Sequence, residues 1–136
     1  MSESGFIASL PGGMMDAVRW GGQFGLPIYI TENGVEDSQD TFRPRYLIEH
    51  LHALWRVMND NHPVKGYFHW SLVDNFEWER GWTQRFGLWG LDPVTQIRTR
   101  RPSVDLYAEI CRENGISSET AEQFSPEALP ALFPGS

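Results

Sequence analysis

Two short apolar runs constrain this chain more than any other feature: Pro27-Ile28-Tyr29-Ile30-Thr31 and Val64-Lys65-Gly66-Tyr67-Phe68-His69-Trp70. The first is β-branched and aromatic and apolar on both faces, the pattern of a strand buried in a parallel sheet, and the second reads the same way. Between them, from about Phe42 to Asn59, Tyr46, Leu47, His50, Leu51, Leu54, Trp55 and Met58 recur at three- and four-residue steps. That is the stripe of an amphipathic helix, and Asp40 is placed to cap it. Strand, helix and strand make one βαβ unit with a right-handed parallel crossover, so the fold class is α/β.

The flanks are weaker. Pro11 to Gly25 reads as a helix on Met14, Ala17, Val18 and Trp20, although Gly21 and Gly22 each cost about 1 kcal/mol relative to alanine there. A last helix opens with Pro102, carries Val104, Tyr107, Ile110 and Cys111 on one face and stops at Gly115. Cys111 is expected to be a small buried hydrophobe. Residues 1–117 are read as one unit. Residues 118–136, rich in Ser, Glu and Pro, are read as a tail with a short turn at Ser125-Pro126-Glu127.

In parallel α/β folds, ligands sit at the carboxyl ends of the strands, where the following loops converge. One strand here ends at Glu32-Asn33-Gly34. The other ends at Trp70 and runs into Asp74, Asn75, Glu77, Trp78, Trp82 and Phe86. A carboxylate facing aromatic rings suits a pyranose, which offers an apolar C–H face for stacking and a ring of hydroxyls for hydrogen bonds. On residue type alone two readings stand: Glu32 as a solvated turn residue and the loop as core, or both as a sugar site.

A formal charge of -7 excludes nucleic acid and anionic membrane surfaces as partners. His50, His52, His62 and His69 show no metal-ligand spacing, and no metal or cofactor is expected. One cysteine allows no internal disulfide. Met1 to Pro11 lacks the pattern of a signal peptide, and no apolar run is long enough to span a bilayer, so a cytoplasmic location is expected.

The longer motifs separate the two readings. Ile30-Thr31-Glu32-Asn33-Gly34 resembles the Ile/Val-Thr-Glu-Asn-Gly segment of glycoside hydrolase family 1, the β-glucosidase family. Gly66-Tyr67-Phe68-His69-Trp70-Ser71-Leu72-Val73-Asp74-Asn75-Phe76-Glu77-Trp78 resembles that family's last strand and its Trp-Ser-Leu-x-Asp-Asn-Phe-Glu-Trp loop. Asp40, Arg43, Tyr46, Leu47, His50 and Leu51, then Arg85-Phe86-Gly87-Leu88 and Arg101-Pro102-Ser103, also fit.

The resemblance implies a partial (β/α)8 TIM barrel, strands 7 and 8 with flanking helices. It also implies a retaining β-glycosidase in which Glu32 is the nucleophile. Trp70 would be the stacking platform, Glu77 would accept from the 4- and 6-hydroxyls, Trp78 would donate to the 3-hydroxyl, and Phe86 would line the 6-position. The Trp70-Ser71 peptide would be cis. Glu77 favours plain over 6-phosphorylated sugars, because a carboxylate repels phosphate, while Trp82 departs from the family's more usual Tyr.

No Asn-Glu-Pro segment occurs, and that is where the family keeps its acid/base. The chain therefore reads as a C-terminal fragment that needs either a complementing N-terminal barrel portion or self-association. A non-catalytic carbohydrate-binding module derived from the family is the competing reading.

Overall fold

The computed structural model describes residues 1–134. Strand β1 (Ile28–Asn33) and strand β2 (Val64–His69) pair in parallel, with α2 (Arg43–Asn59) as the crossover between them. β1 thus continues through Glu32 to Asn33, two residues beyond the apolar run. Ile28 and Ile30 turn toward α2 and pack with Val18, Leu54, Val57 and Val64. Tyr29 and Phe68 lie on the other face and are 57% and 58% exposed, so that face is uncovered in this chain.

The register is Ile28↔Val64, Tyr29↔Gly66, Ile30↔Tyr67 and Asn33↔His69. β2 therefore carries one extra residue at Lys65, and β1 carries one across Thr31-Glu32. A bulge of this kind re-aims side chains at a strand end.

The cap of α2 differs from expectation. Asp37, not Asp40, accepts the Phe42 and Arg43 amides, at 2.7 and 2.9 Å. Asp40 has φ of 59° and points elsewhere, onto the Arg43 guanidinium and the start of α3 (Ser103–Glu113), where it accepts from Ser103 N at 2.7 Å. A run of bends from Asp37 to Phe42 separates sequence proximity from spatial proximity. α1 (Pro11–Gly22) lies against α2 through Val18.

Two further expectations are corrected in α3. Its buried face is Ser103 and Leu106, with Tyr107 and Ile110 partly covered, so Cys111 falls one position around the helix and is exposed. The helix ends on Asn114 in the left-handed region, φ 50°, rather than on Gly115.

Residues 118–134 fold into α4 (Ser118–Phe124), a 3-10 turn at Pro126–Ala128 and α5 (Leu129–Leu132). Ser117 caps α4 by accepting the Thr120 amide. Ala128 joins Leu47, Ile48 and Leu106 in a second core cluster, with Phe124 and Leu132 against it. Ala121, Phe124, Ala128 and Leu132 thus turn a polar, tail-like composition into a covering layer. A small antiparallel hairpin, β3 (Trp89–Leu91) and β4 (Arg98–Arg100), follows the aromatic loop. Among the described residues no helix is long and apolar enough to cross a membrane.

Candidate active site

The two strand ends are stitched together where the chemistry-bearing residues begin. Trp70 N donates to Asn33 O at 3.0 Å. Gly34 lies so close that a Cβ there would sit 1.7 Å from the Trp70 carbonyl oxygen, which leaves room for no other residue. Glu32, Asn33, Gly34 and Trp70 then line a shallow cleft of about 310 Å³, closed by Tyr46, Phe86 and Ile7. The Glu32 side chain is exposed at its wall.

Asn33 is held from two sides. The Tyr67 hydroxyl donates to Asn33 Oδ1 at 2.9 Å and lies 3.3 Å from its carbonyl, while Asn33 Nδ2 donates to the Tyr46 hydroxyl at 3.0 Å. Tyr46 stacks on His50 at 3.9 Å between ring centroids, and His50 Nδ1 lies 2.8 Å from the Tyr46 carbonyl. Burial raises the Tyr67 hydroxyl well above its ordinary pKa, and it raises Tyr46 more mildly against the Asn33 hydrogen bond. Both stay protonated at neutral pH. His69, beside the Tyr107 ring, is pushed down to about 3 by burial and then by Arg43, so it is a neutral imidazole.

The loop after β2 starts with a cis Trp70-Ser71 peptide. Its anchor is Asp74, which accepts from Gly87 N at 2.8 Å, from Leu91 N at 3.2 Å and from both terminal nitrogens of Arg101 at 3.0 Å. A bidentate guanidinium pair of this kind fixes direction as well as distance. Phe86, next to the bonded Gly87, is 5% exposed and lines the cleft. Glu77 accepts from Asn75 Nδ2 at 2.6 Å and from the Trp70 indole N–H at 3.4 Å, which ties carboxylate and platform together. Trp78 stands 81% exposed at the head of a 3-10 turn and does not line the cleft.

Of the five side chains singled out from the sequence, Glu32, Trp70 and Phe86 therefore share one cleft, Glu77 is bonded to its platform, and Trp78 stands apart. Sequence reasoning missed Ile7 and the site role of Tyr46. Ile7 belongs to a segment pinned by Ser4 Oγ to Glu36 at 2.5 Å and by Phe6 under Arg80, contacts no local pattern announces. A larger groove of about 670 Å³, lined by Leu54, Trp55, Met58, Val64, Ile110 and Leu132 among others, is mainly apolar. It reaches Val64, Lys65 and Gly66 at the amino end of β2, and its lining holds no carboxylate.

The arrangement is a carboxylate beside an indole platform that carries a second, hydrogen-bonded carboxylate, a combination suited to a ring that is apolar on its face and hydroxylated on its edge.

Residues 1–116 match the family Glycosyl hydrolase family 1. A beta-galactosidase of Pyrococcus woesei is 41% identical over 114 residues, 83% of this chain and 22% of the relative. One from Sulfolobus acidocaldarius is 44% identical over 110 residues, again 22% of its length. The solved beta-glycosidase from Pyrococcus horikoshii superposes with a TM-score of 0.85 at 35% identity, covering 91% of this chain and 30% of that one. The chain thus spans between a fifth and a third of the length of these three proteins.

Proposed function

Given that the chain belongs to glycosyl hydrolase family 1, we propose that it is the nucleophile-bearing part of a retaining β-glycosidase acting on β-glucosides or related β-glycosides. In this reading β1 and β2 are strands 7 and 8 of the barrel. The observation that carries it is the shared cleft of Glu32, Trp70 and Phe86 at the carboxyl ends of two parallel strands.

Glu32 attacks the anomeric carbon and forms a covalent glycosyl-enzyme. Trp70 stacks under the sugar. Glu77, oriented by Asn75 and the indole N–H, accepts from the 4- and 6-hydroxyls, and Phe86 shapes the 6-position. Trp78 donates its indole N–H to the 3-hydroxyl once the exposed 3-10 turn is packed. Retention needs a second carboxyl group about 5–5.5 Å from the first to protonate the leaving oxygen. That group comes from a complementing N-terminal barrel portion, whether part of the same protein or supplied separately. Self-association is the other way to cover the exposed sheet face.

A second reading, a carbohydrate-binding module without turnover, is favoured by one observation: the Trp70–Glu77 pair is bonded within the chain itself, independently of any acid/base.

A 2-fluoro-β-glucoside with a dinitrophenyl leaving group separates the two readings. The activated group departs without acid assistance, and fluorine slows hydrolysis of the intermediate. The chain, alone or with the N-terminal portion supplied, is expected to gain one sugar mass, and the Glu32→Gln variant none. Binding of a β-glucoside without any adduct in either setting would favour the module.

A further inference from the structure

The geometry points to Asn33, Tyr46 and Tyr67 as positioning residues that lock the bulge at the end of β1 and so aim the Glu32 carboxylate into the cleft. This inference rests on Glu32 being the nucleophile.

Between Ile30 and Asn33, β1 carries one residue more than β2 opposite it, and that surplus lies across Thr31-Glu32. A bulge gives up regular ladder pairing over its extra residue, so its shape depends on how its ends are held. The near end is Ile30, packed against the core cluster of Val18, Leu54 and Val57. The far end is Asn33. Its carbonyl takes the Trp70 amide at 3.0 Å, and its side chain is bonded at both ends, Oδ1 by Tyr67 at 2.9 Å and Nδ2 by Tyr46 at 3.0 Å.

The two tyrosines come from different elements, β2 and α2, and each is fixed apart from this contact. Tyr67 packs in both core clusters and lies against Tyr107, while Tyr46 is buried and stacked on His50. Asn33 therefore meets two stationary partners, and an amide with one donor and one acceptor end is the side-chain type that can serve both. Leu at this position would lose both bonds, and Asp would keep two only if the Tyr46 hydroxyl turned from acceptor to donor. Glu32, one residue away, inherits the orientation. Because sub-ångström placement matters for attack at an anomeric carbon, loosening the clamp lowers the rate of the covalent step without weakening sugar binding, which rests on Trp70 and Glu77.

The full chain is tested as Tyr67→Phe, Tyr46→Phe and the double variant, each keeping the packed ring. Amide hydrogen exchange is measured along the chain. In the double variant, exchange across Thr31 to Gly34 is expected to rise about fivefold or more, as loss of two hydrogen bonds implies, while α2 and α3 keep their protection. Labelling by the 2-fluoroglucoside, with the N-terminal portion supplied where the chain alone does not react, is expected to slow about tenfold at saturation, with unchanged half-saturation in Tyr67→Phe, whose ring does not line the cleft. Unchanged exchange at 31–34, or labelling as fast as in the parent chain, would overturn the clamp. If the parent chain takes no label in either setting, the nucleophile reading fails by itself, and local exchange still decides whether the clamp exists.

Discussion

His69 marks a place where a charge is refused. Its ring nitrogens are buried without a hydrogen-bond partner among the described residues, and the group is pushed from 6.5 down to about 3 by burial and then by Arg43. An unfolded chain takes up a proton here below about pH 6.5, whereas the folded one does so only near pH 3. The unfolded state binds more protons throughout that window, so stability is lost as pH falls from 6.5 toward 3. Replacing His69 by Phe is expected to shrink the loss between pH 7 and pH 5 by about 1–2 kcal/mol, read from urea denaturation at the two pH values. An undiminished loss would place the acid sensitivity elsewhere. At this scale the sequence reveals residue type but not company. Glu32, Trp70 and Phe86 could be named from motifs, yet the bonds that hold Asn33 come from partners 13 and 34 positions away, which no local pattern encodes.

Helix starts decide how the elements lock together, and here they are capped from a distance. Asp37 caps α2 across the bends before it, and Asp40 both pairs with the buried Arg43 and caps α3 from 63 residues upstream. Burial lowers the Arg43 pKa against the pull of Asp40, so the two groups depend on each other. Asp37→Ala is expected to cost about 1 kcal/mol, the usual worth of a cap. Asp40→Ala strands a buried cation and should cost about 3 kcal/mol, measured by the same denaturation. Equal losses would show that Arg43 is satisfied well enough by the Asp37 and Arg85 carbonyls alone. The strands and the long helix were legible because each is written in adjacent residues of one period. The cap is not legible there because Asp40 turns away with φ of 59°. α4 and α5 are not legible in the sequence, because the apolar positions that bury them are few and sparse among Ser, Glu and Pro.

The whole molecule is an α/β unit whose sheet stops at two strands. Among the described residues the outer edges of β1 and β2 are unpaired, and Tyr29 and Phe68 face outward from the sheet. Open parallel edges beside exposed rings demand a cover. At micromolar concentration the purified chain is expected to elute from size-exclusion chromatography larger than its 15.6 kDa, and to resolve into a defined complex when the N-terminal portion is added. A sharp monomer peak that ignores that portion would sink the complementation reading. The βαβ unit is legible in periodicity, but the barrel proposed around it rests on resemblance, since a strand does not announce how many neighbours it needs. On the complementation reading, the same edges would link this chain's lifetime to its partner's abundance: copies that dock would be shielded, copies that wait would be opened and cleared by proteases and chaperones, and turnover itself would set the stoichiometry.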